Sequence, residues 1–132
     1  MVIFDSSVLI DQLRTDRHIQ RIANLDGLVR TSAVVLAELW RSAWTEAEQT
    51  FLRTLERRYP VLTPTEKVWL ESGQVLAKMH GDKGFDPHKL RGLHFDVLIA
   101  LTARAHGAKL ITSNRDDFEL IRSYREFKLE VW

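Results

Sequence analysis

Residues 94–118, HFDVLIALTARAHGAKLITSNRDDF, constrain the fold more than any other stretch of the chain. Asp96 stands directly before the run Val97, Leu98, Ile99, Ala100, Leu101, with Ala103 and Ala105 further on. That pattern predicts a buried helix opening at Asp96. Gly107 follows the last helical residue, where a left-handed C-cap needs a residue without Cβ. Lys109 to Thr112 then predict a short buried strand, and Ser113–Asp117 a polar, acidic turn at its carboxyl end. A carboxylate in the helix's first turn and two more just past the strand can meet at one edge of a sheet. In open α/β sheets that edge is where sites form.

With 132 residues, the chain is expected to be one domain spanning 1–132, long enough to bury a core. No apolar run approaches membrane-spanning length, and the start MVIFDSSVLI is too short and too acidic for a signal peptide. Cysteine is absent, which excludes disulfides, thiolate nucleophiles and Cys-based zinc sites. A cytoplasmic location is expected, since such a chain suits a reducing cytosol. The formal charge of +1 neither supports nor excludes a nucleic-acid partner. If several acids gather in one pocket, however, the remaining surface is net basic.

Read from its start, the chain places further acids at similar junctions. Val2–Phe4 form an apolar strand ending at Asp5; a helix follows that Ser6 or Ser7 can cap, with Val8, Leu9, Ile10 and Leu13 inward. Asp5 is thus either a turn residue or a site residue at a strand-to-helix switch. Residues 15–26 predict an amphipathic helix, and Leu28–Arg30 a second strand closing at Thr31-Ser32. The next helix, from about Ala33 to Trp44, carries Glu38 among Val34, Val35, Leu39 and Trp40. A glutamate buried there without a partner is costly, so Glu38 is either solvated at a rim or aimed into a shared polar pocket.

Thr45-Glu46-Ala47-Glu48 is a capping box opening another helix, whose outer face carries Arg53, Arg57 and Arg58. Such arginines form a solvated face or track a phosphate backbone. Tyr59–Leu62 is a brief strand, and Thr63-Pro64-Thr65-Glu66 reads as a second capping box with proline at the first helical position. The helix it starts runs to about Met79, with Val68, Ser72, Val75 and Met79 on one face as core or dimer contact. Residues 80–93, HGDKGFDPHKLRGL, read as a loop. Its Lys89 and Arg91 are candidate phosphate contacts, whereas His80, His88 and His94 lack the close helical spacing of a metal site. A short helical turn over Phe118–Arg122 and an edge strand over Phe127–Trp132 complete the chain.

The predicted order, β-α-α-β-α-α-β-α-β-α-β, implies an α/β fold with a mostly parallel sheet of about five short strands. Asp5, Glu38, Asp96 and one of Asp116 or Asp117 stand where they can converge. Carboxylates gathered without basic partners repel one another and raise one another's pKa. A hard cation such as Mg²⁺ or Mn²⁺ resolves the repulsion, because it prefers oxygen ligands. Metal-dependent phosphodiester hydrolysis is the chemistry such a cluster suits. A phospho-aspartyl enzyme using Asp5 usually wants a second acid two residues on, where Ser7 stands.

Three motifs carry a family resemblance. They are the start Ile3-Phe4-Asp5-Ser6-Ser7-Val8-Leu9-Ile10, the pair Thr31-Ser32 followed by Glu38-Leu39, and a long third motif. The third comprises Asp96, Leu98, Ile99, Ala100, Thr102, Ala103, Ala105, His106, Gly107, Ala108, Leu110, Thr112, Asn114, Asp117 and Phe118. Together they resemble PIN-domain proteins, and more narrowly the VapC-type toxins of bacterial toxin–antitoxin pairs. The resemblance spans essentially the whole chain. It implies a PIN-like three-layer α/β/α sandwich and an endoribonuclease that hydrolyses RNA with a metal-activated water, using Mg²⁺ or Mn²⁺. It further implies a homodimer, a small VapB-type antitoxin as partner and possible tRNA or rRNA substrates. Carried over, Asp5, Glu38, Asp96 and Asp117 are the catalytic metal ligands. Ser6 and Asn114 are supporting polar groups, and Asp116 is the alternative fourth acid. The contrasting expectation is a non-catalytic PIN-like module that binds RNA or protein.

Overall fold

Three apolar residues place the first strand. Val2, Ile3 and Phe4 are all buried, as a strand covered on both faces demands, and β1 (Val2–Phe4) is the middle strand of the sheet. The computed structural model describes all residues, Met1–Trp132. In it five strands run in the order β3-β2-β1-β4-β5, with β2 Val29–Ser32, β3 Val61–Leu62, β4 Lys109–Thr112 and β5 Lys128–Val131. Every pairing is parallel; Ile3 lies opposite Arg30 on one side and Leu110 on the other. Parallel neighbours require crossovers, and the seven helices supply them. They are α1 Ser6–Thr15, α2 Ile19–Ala23, α3 Ala33–Arg41, α4 Glu46–Arg58, α5 Glu66–Lys83, α6 Pro87–Ala105 and α7 Arg115–Tyr124. Strand order reverses at β1/β4. Right-handed crossovers therefore put helices on both faces and open a crevice at the carboxyl ends of those two strands.

The core is one cluster of 29 buried residues, drawn mainly from β1 and β4 and from the inner faces of α1, α3, α4, α5, α6 and α7. Val68, Ser72, Val75 and Met79 all belong to the buried face of α5. Local chemistry sets several boundaries as the sequence predicts. Thr45 and Glu48 form the capping box of α4, bonded in both directions. Gly107 takes φ 62°; its N–H donates to the Arg104 carbonyl, and the Ala108 N–H donates to that of Ala103. Those two bonds are a Schellman motif.

Other elements depart from expectation. Residues 80–93 are mostly helix: α5 continues to Lys83, and α6 starts at Pro87 with Asp86 as its N-cap, accepting from the Lys89 N–H at 2.8 Å. Asp-Pro is a helix start here, and only residues 84–86 separate the two helices, with Gly84 left-handed at φ 67°. Gly81 and Gly92 sit inside helices with nothing near a Cβ position, so each costs only about 1 kcal/mol of helix propensity. Asp96 consequently lies near the middle of α6, not at its first turn.

The start of α5 shifts as well, since its cap is Thr65, accepting from the Val68 N–H, and Pro64 precedes the helix. Neither Ser6 nor Ser7 caps α1; both lie within it, and Asp5 holds the N-cap position with no side-chain capping bond. Residues 15–26 hold only the five-residue α2, because Asp16 turns left-handed at φ 53° and ends α1. Leu13, expected inside, is 40% exposed. The helix after β4 runs for ten residues, and it takes Asp116 and Asp117 into its first turn.

Candidate metal centre

Asp5 follows β1 at the reversal of strand order, and its N–H continues the ladder to the Ile111 carbonyl of β4 at 2.9 Å. The side chain is only 3% exposed. Two hydroxyls hold it: Ser7 Oγ donates to Oδ2 at 2.7 Å, and Thr112 Oγ1 donates to the same oxygen at 2.9 Å. The other oxygen, Oδ1, receives only a long contact from Ser6 Oγ, at 3.4 Å. One carboxylate oxygen is therefore committed to the scaffold, and the second is left for another partner. Ser7 Oγ also accepts the Ser113 N–H, and Thr112 Oγ1 accepts the Asn114 N–H. The loop after β4 is thus tied to the end of β1.

Helices α3 and α6 pack on each other, and they bring Glu38 and Asp96 to Asp5. One oxygen from each of the three acids lies within 4.8 Å of the others. Glu38 Oε1 is buried with no hydrogen-bond partner. Glu38 is therefore not a solvated rim residue. Burial, then the charge of Asp5, pushes its carboxyl up to about 7, against an opposing pull from Arg41. Asp96 rises to about 8 through burial and then the charges of Asp5, Glu38 and Asp117, with Lys89 opposing. An all-oxygen set of repelling carboxylates, one with an unsatisfied buried oxygen, fits a hard divalent cation of the Mg²⁺ or Mn²⁺ kind.

The remaining predicted residues lie around this trio. Asp117 is partly exposed in the first turn of α7, where Asn114 Nδ2 donates to its Oδ2 at 3.1 Å and Lys89 Nζ stands 3.9 Å from its Oδ1. Its charge reaches Asp96, yet it stands outside the close trio. Asp116 is exposed and outside the close trio, and Arg91 is exposed. No histidine joins the group; His94 Nε2 pairs with Ser72 Oγ, and His80 Nδ1 with the Phe85 carbonyl. Sequence reasoning missed the closest supports of Asp5, which are Ser7 and Thr112 rather than Ser6. Their signal was their position: Ser7 one residue further along the same Asp-Ser-Ser run, and Thr112 at the end of the neighbouring strand.

Solved structures with the same fold include toxin–antitoxin complexes and a toxin. VapBC2 from Rickettsia felis, bound to a DNA fragment from its promoter, superposes with a TM-score of 0.75 at 23% identity, covering 100% of this chain and 99% of that one. DNA-bound VapBC from Salmonella typhimurium gives 0.72 at 24% identity, over 99% and 97% of the two chains. VapC20 of Mycobacterium tuberculosis, described as a Sarcin-Ricin loop cleaving toxin, gives 0.68 at 16% identity, over 91% and 95%. No curated protein matches the chain. The PIN domain family does, over residues 2–123. That match includes every strand except β5, all three clustered acids and the reversal of strand order beneath them, and the chain belongs to the PIN-domain family.

Proposed function

We propose that this chain is a divalent-cation-dependent endoribonuclease acting as the toxin of a VapBC-type toxin–antitoxin pair. The observation that carries the reading is the trio Asp5, Glu38 and Asp96, three carboxylates within 4.8 Å whose burial leaves one oxygen with no partner. Asp5, Asp96 and Glu38 are the residues to hold Mg²⁺ or Mn²⁺, with Asp117 as the fourth acid at the rim. A cation bound there supplies Lewis-acid activation of water and neutralises charge developing on a phosphodiester.

The chain's own groups do the rest. Ser7 and Thr112 fix the Asp5 carboxylate before any ligand arrives, so little reorganisation is needed. Asn114 orients Asp117, and Lys89 beside it offers a phosphate contact. Asp117 is preferred to Asp116 because its charge, and not that of Asp116, bears on Asp96. The VapBC neighbours support a small VapB-type antitoxin as partner, and the Sarcin-Ricin loop cleaving toxin among them supports an RNA substrate such as rRNA; a homodimer is part of the same proposal.

Purified chain incubated with a panel of RNAs and Mg²⁺ or Mn²⁺ is expected to cut internally, and EDTA to stop it. Asp5→Asn or Asp96→Asn should abolish cleavage with an unchanged circular-dichroism spectrum. Full cleavage by either folded variant would overturn the assignment. A small protein encoded beside the toxin is expected to co-purify with it and suppress the cleavage.

A further inference from the structure

Glu38 and Arg41 are three residues apart on α3, a spacing at which a glutamate and an arginine on a helix normally pair. Glu38 even has a buried oxygen with no partner. Yet Arg41 is absent from every ion pair of the structure. Its guanidinium lies instead over the ring of Phe95, 5.7 Å from the centroid. Phe95 is the neighbour of Asp96 on α6 and is half-buried. On the other flank Lys89 is braced in the same way, its ammonium 5.7 Å from the ring centroid of Phe85.

The two cations bear on different acids. Arg41 opposes the raised pKa of Glu38, and Lys89 opposes that of Asp96 while standing 3.9 Å from Asp117. A cation resting on an aromatic face at an exposed site is held modestly by the ring's negative quadrupole. That is comparable with an exposed ion pair, so the ring is a competitive seat for the charge. Seated there, Arg41 leaves Glu38 free for a cation and keeps its own five donors free for an anion.

We infer that Arg41, braced on Phe95, is a backbone-phosphate contact for single-stranded RNA on the Glu38 side of the carboxylate pocket, the counterpart of Lys89 on the Asp117 side. The inference rests on the ribonuclease reading above. A cluster of acids repels the phosphates that flank the one being cleaved, and fixed cations on both sides of the pocket offset that repulsion. Arginine suits the role, since its planar fork binds two phosphate oxygens at once.

The test uses the whole chain, an end-labelled, uncleavable single-stranded RNA with Mg²⁺ present, and fluorescence anisotropy over a salt series. Arg41→Gln is expected to reduce the slope of log K against log salt by about 0.7, the value for one phosphate contact on a single strand. With cleavable RNA the same variant should raise KM several-fold and leave kcat within about twofold, as loss of uniform binding does. Phe95→Leu should weaken RNA binding in the same direction. It should also lower Mn²⁺ affinity, because the released guanidinium turns onto Glu38; Phe95→Tyr restores both. Lys78→Gln, an exposed charge elsewhere on α5, controls for net charge.

An unchanged salt slope and KM in Arg41→Gln, with wild-type cleavage intact, would overturn this inference alone. Failure of the wild-type chain to bind or cut any RNA would overturn the ribonuclease reading, and this inference with it.

Discussion

At the scale of single residues, the acids that chemistry would use are also those that cost the metal-free fold most. Glu38 and Asp96 hold their protons up to about 7 and about 8, chiefly because they are buried and secondly because they repel their neighbours. Between pH 4 and their native pKa values the folded chain therefore binds more protons than the unfolded one. Stability must then fall as pH rises through that window. In EDTA, the melting temperature is expected to drop steadily from pH 5 to pH 8; a flat or rising curve would contradict the shifts. Below neutrality a bound cation must displace those protons, so Mn²⁺ affinity measured by calorimetry should increase with pH up to about 8. Asp96→Asn removes one repelling charge while keeping the shape. It should stabilise the metal-free protein at pH 8 by about 1 kcal/mol, or roughly 4 °C, and lose Mn²⁺ binding.

Elements carry the site through their ends and their packing. The same substitution at two glycines should act with opposite signs. Gly107, at φ 62°, closes α6 and leads into β4, and an added Cβ meets nothing within 4 Å. The cost of Gly107→Ala is then the backbone conformation itself, about 1–2 kcal/mol. Gly81 lies inside α5 with ordinary φ and equally open space. There alanine should stabilise by about 0.5–1 kcal/mol through helix propensity and reduced freedom of the unfolded chain. Denaturant titration reads both as shifts of the midpoint at constant slope. A stabilising Gly107→Ala would mean that the Schellman closure is not limiting.

For the whole molecule, the question is how strongly a cation is linked to the fold. No helix is long and apolar enough to cross a membrane, and the stability of the chain comes from one core plus whatever binds the crevice. A cation that binds only the native trio adds about 2.7 kcal/mol at a hundredfold excess over its Kd. Thermal melting should therefore rise by several degrees in Mn²⁺ relative to EDTA, and Asp5→Asn should abolish the rise. An identical shift in that variant would place the binding somewhere else.

Much of this architecture was legible in the chain. Val2–Phe4 and the Leu110-Ile111 pair of the later strand read as buried parallel strand because both faces are covered, so consecutive residues are apolar without alternation. Asp5 stood at a strand end, where a doubly wound sheet forms its crevice. Gly107 and the Thr45–Glu48 box announced helix boundaries through bonds that span only a few residues. Misreadings arose where local signals were ambiguous. Glycines at 81 and 92 suggested a loop, but burial of Met79 and Leu93 in the core outweighs their small helix penalty.

What the sequence alone determined is the set of acids and the elements that carry them, because periodicity and capping are local. Whether Glu38 was solvated or pooled with Asp5 and Asp96 depended on how α3 packs against α6, a contact between residues far apart in the chain. Only the tertiary structure decided that three of the acids close within 4.8 Å, that Asp117 waits at the rim, and that Arg41 rests on Phe95 instead of neutralising Glu38.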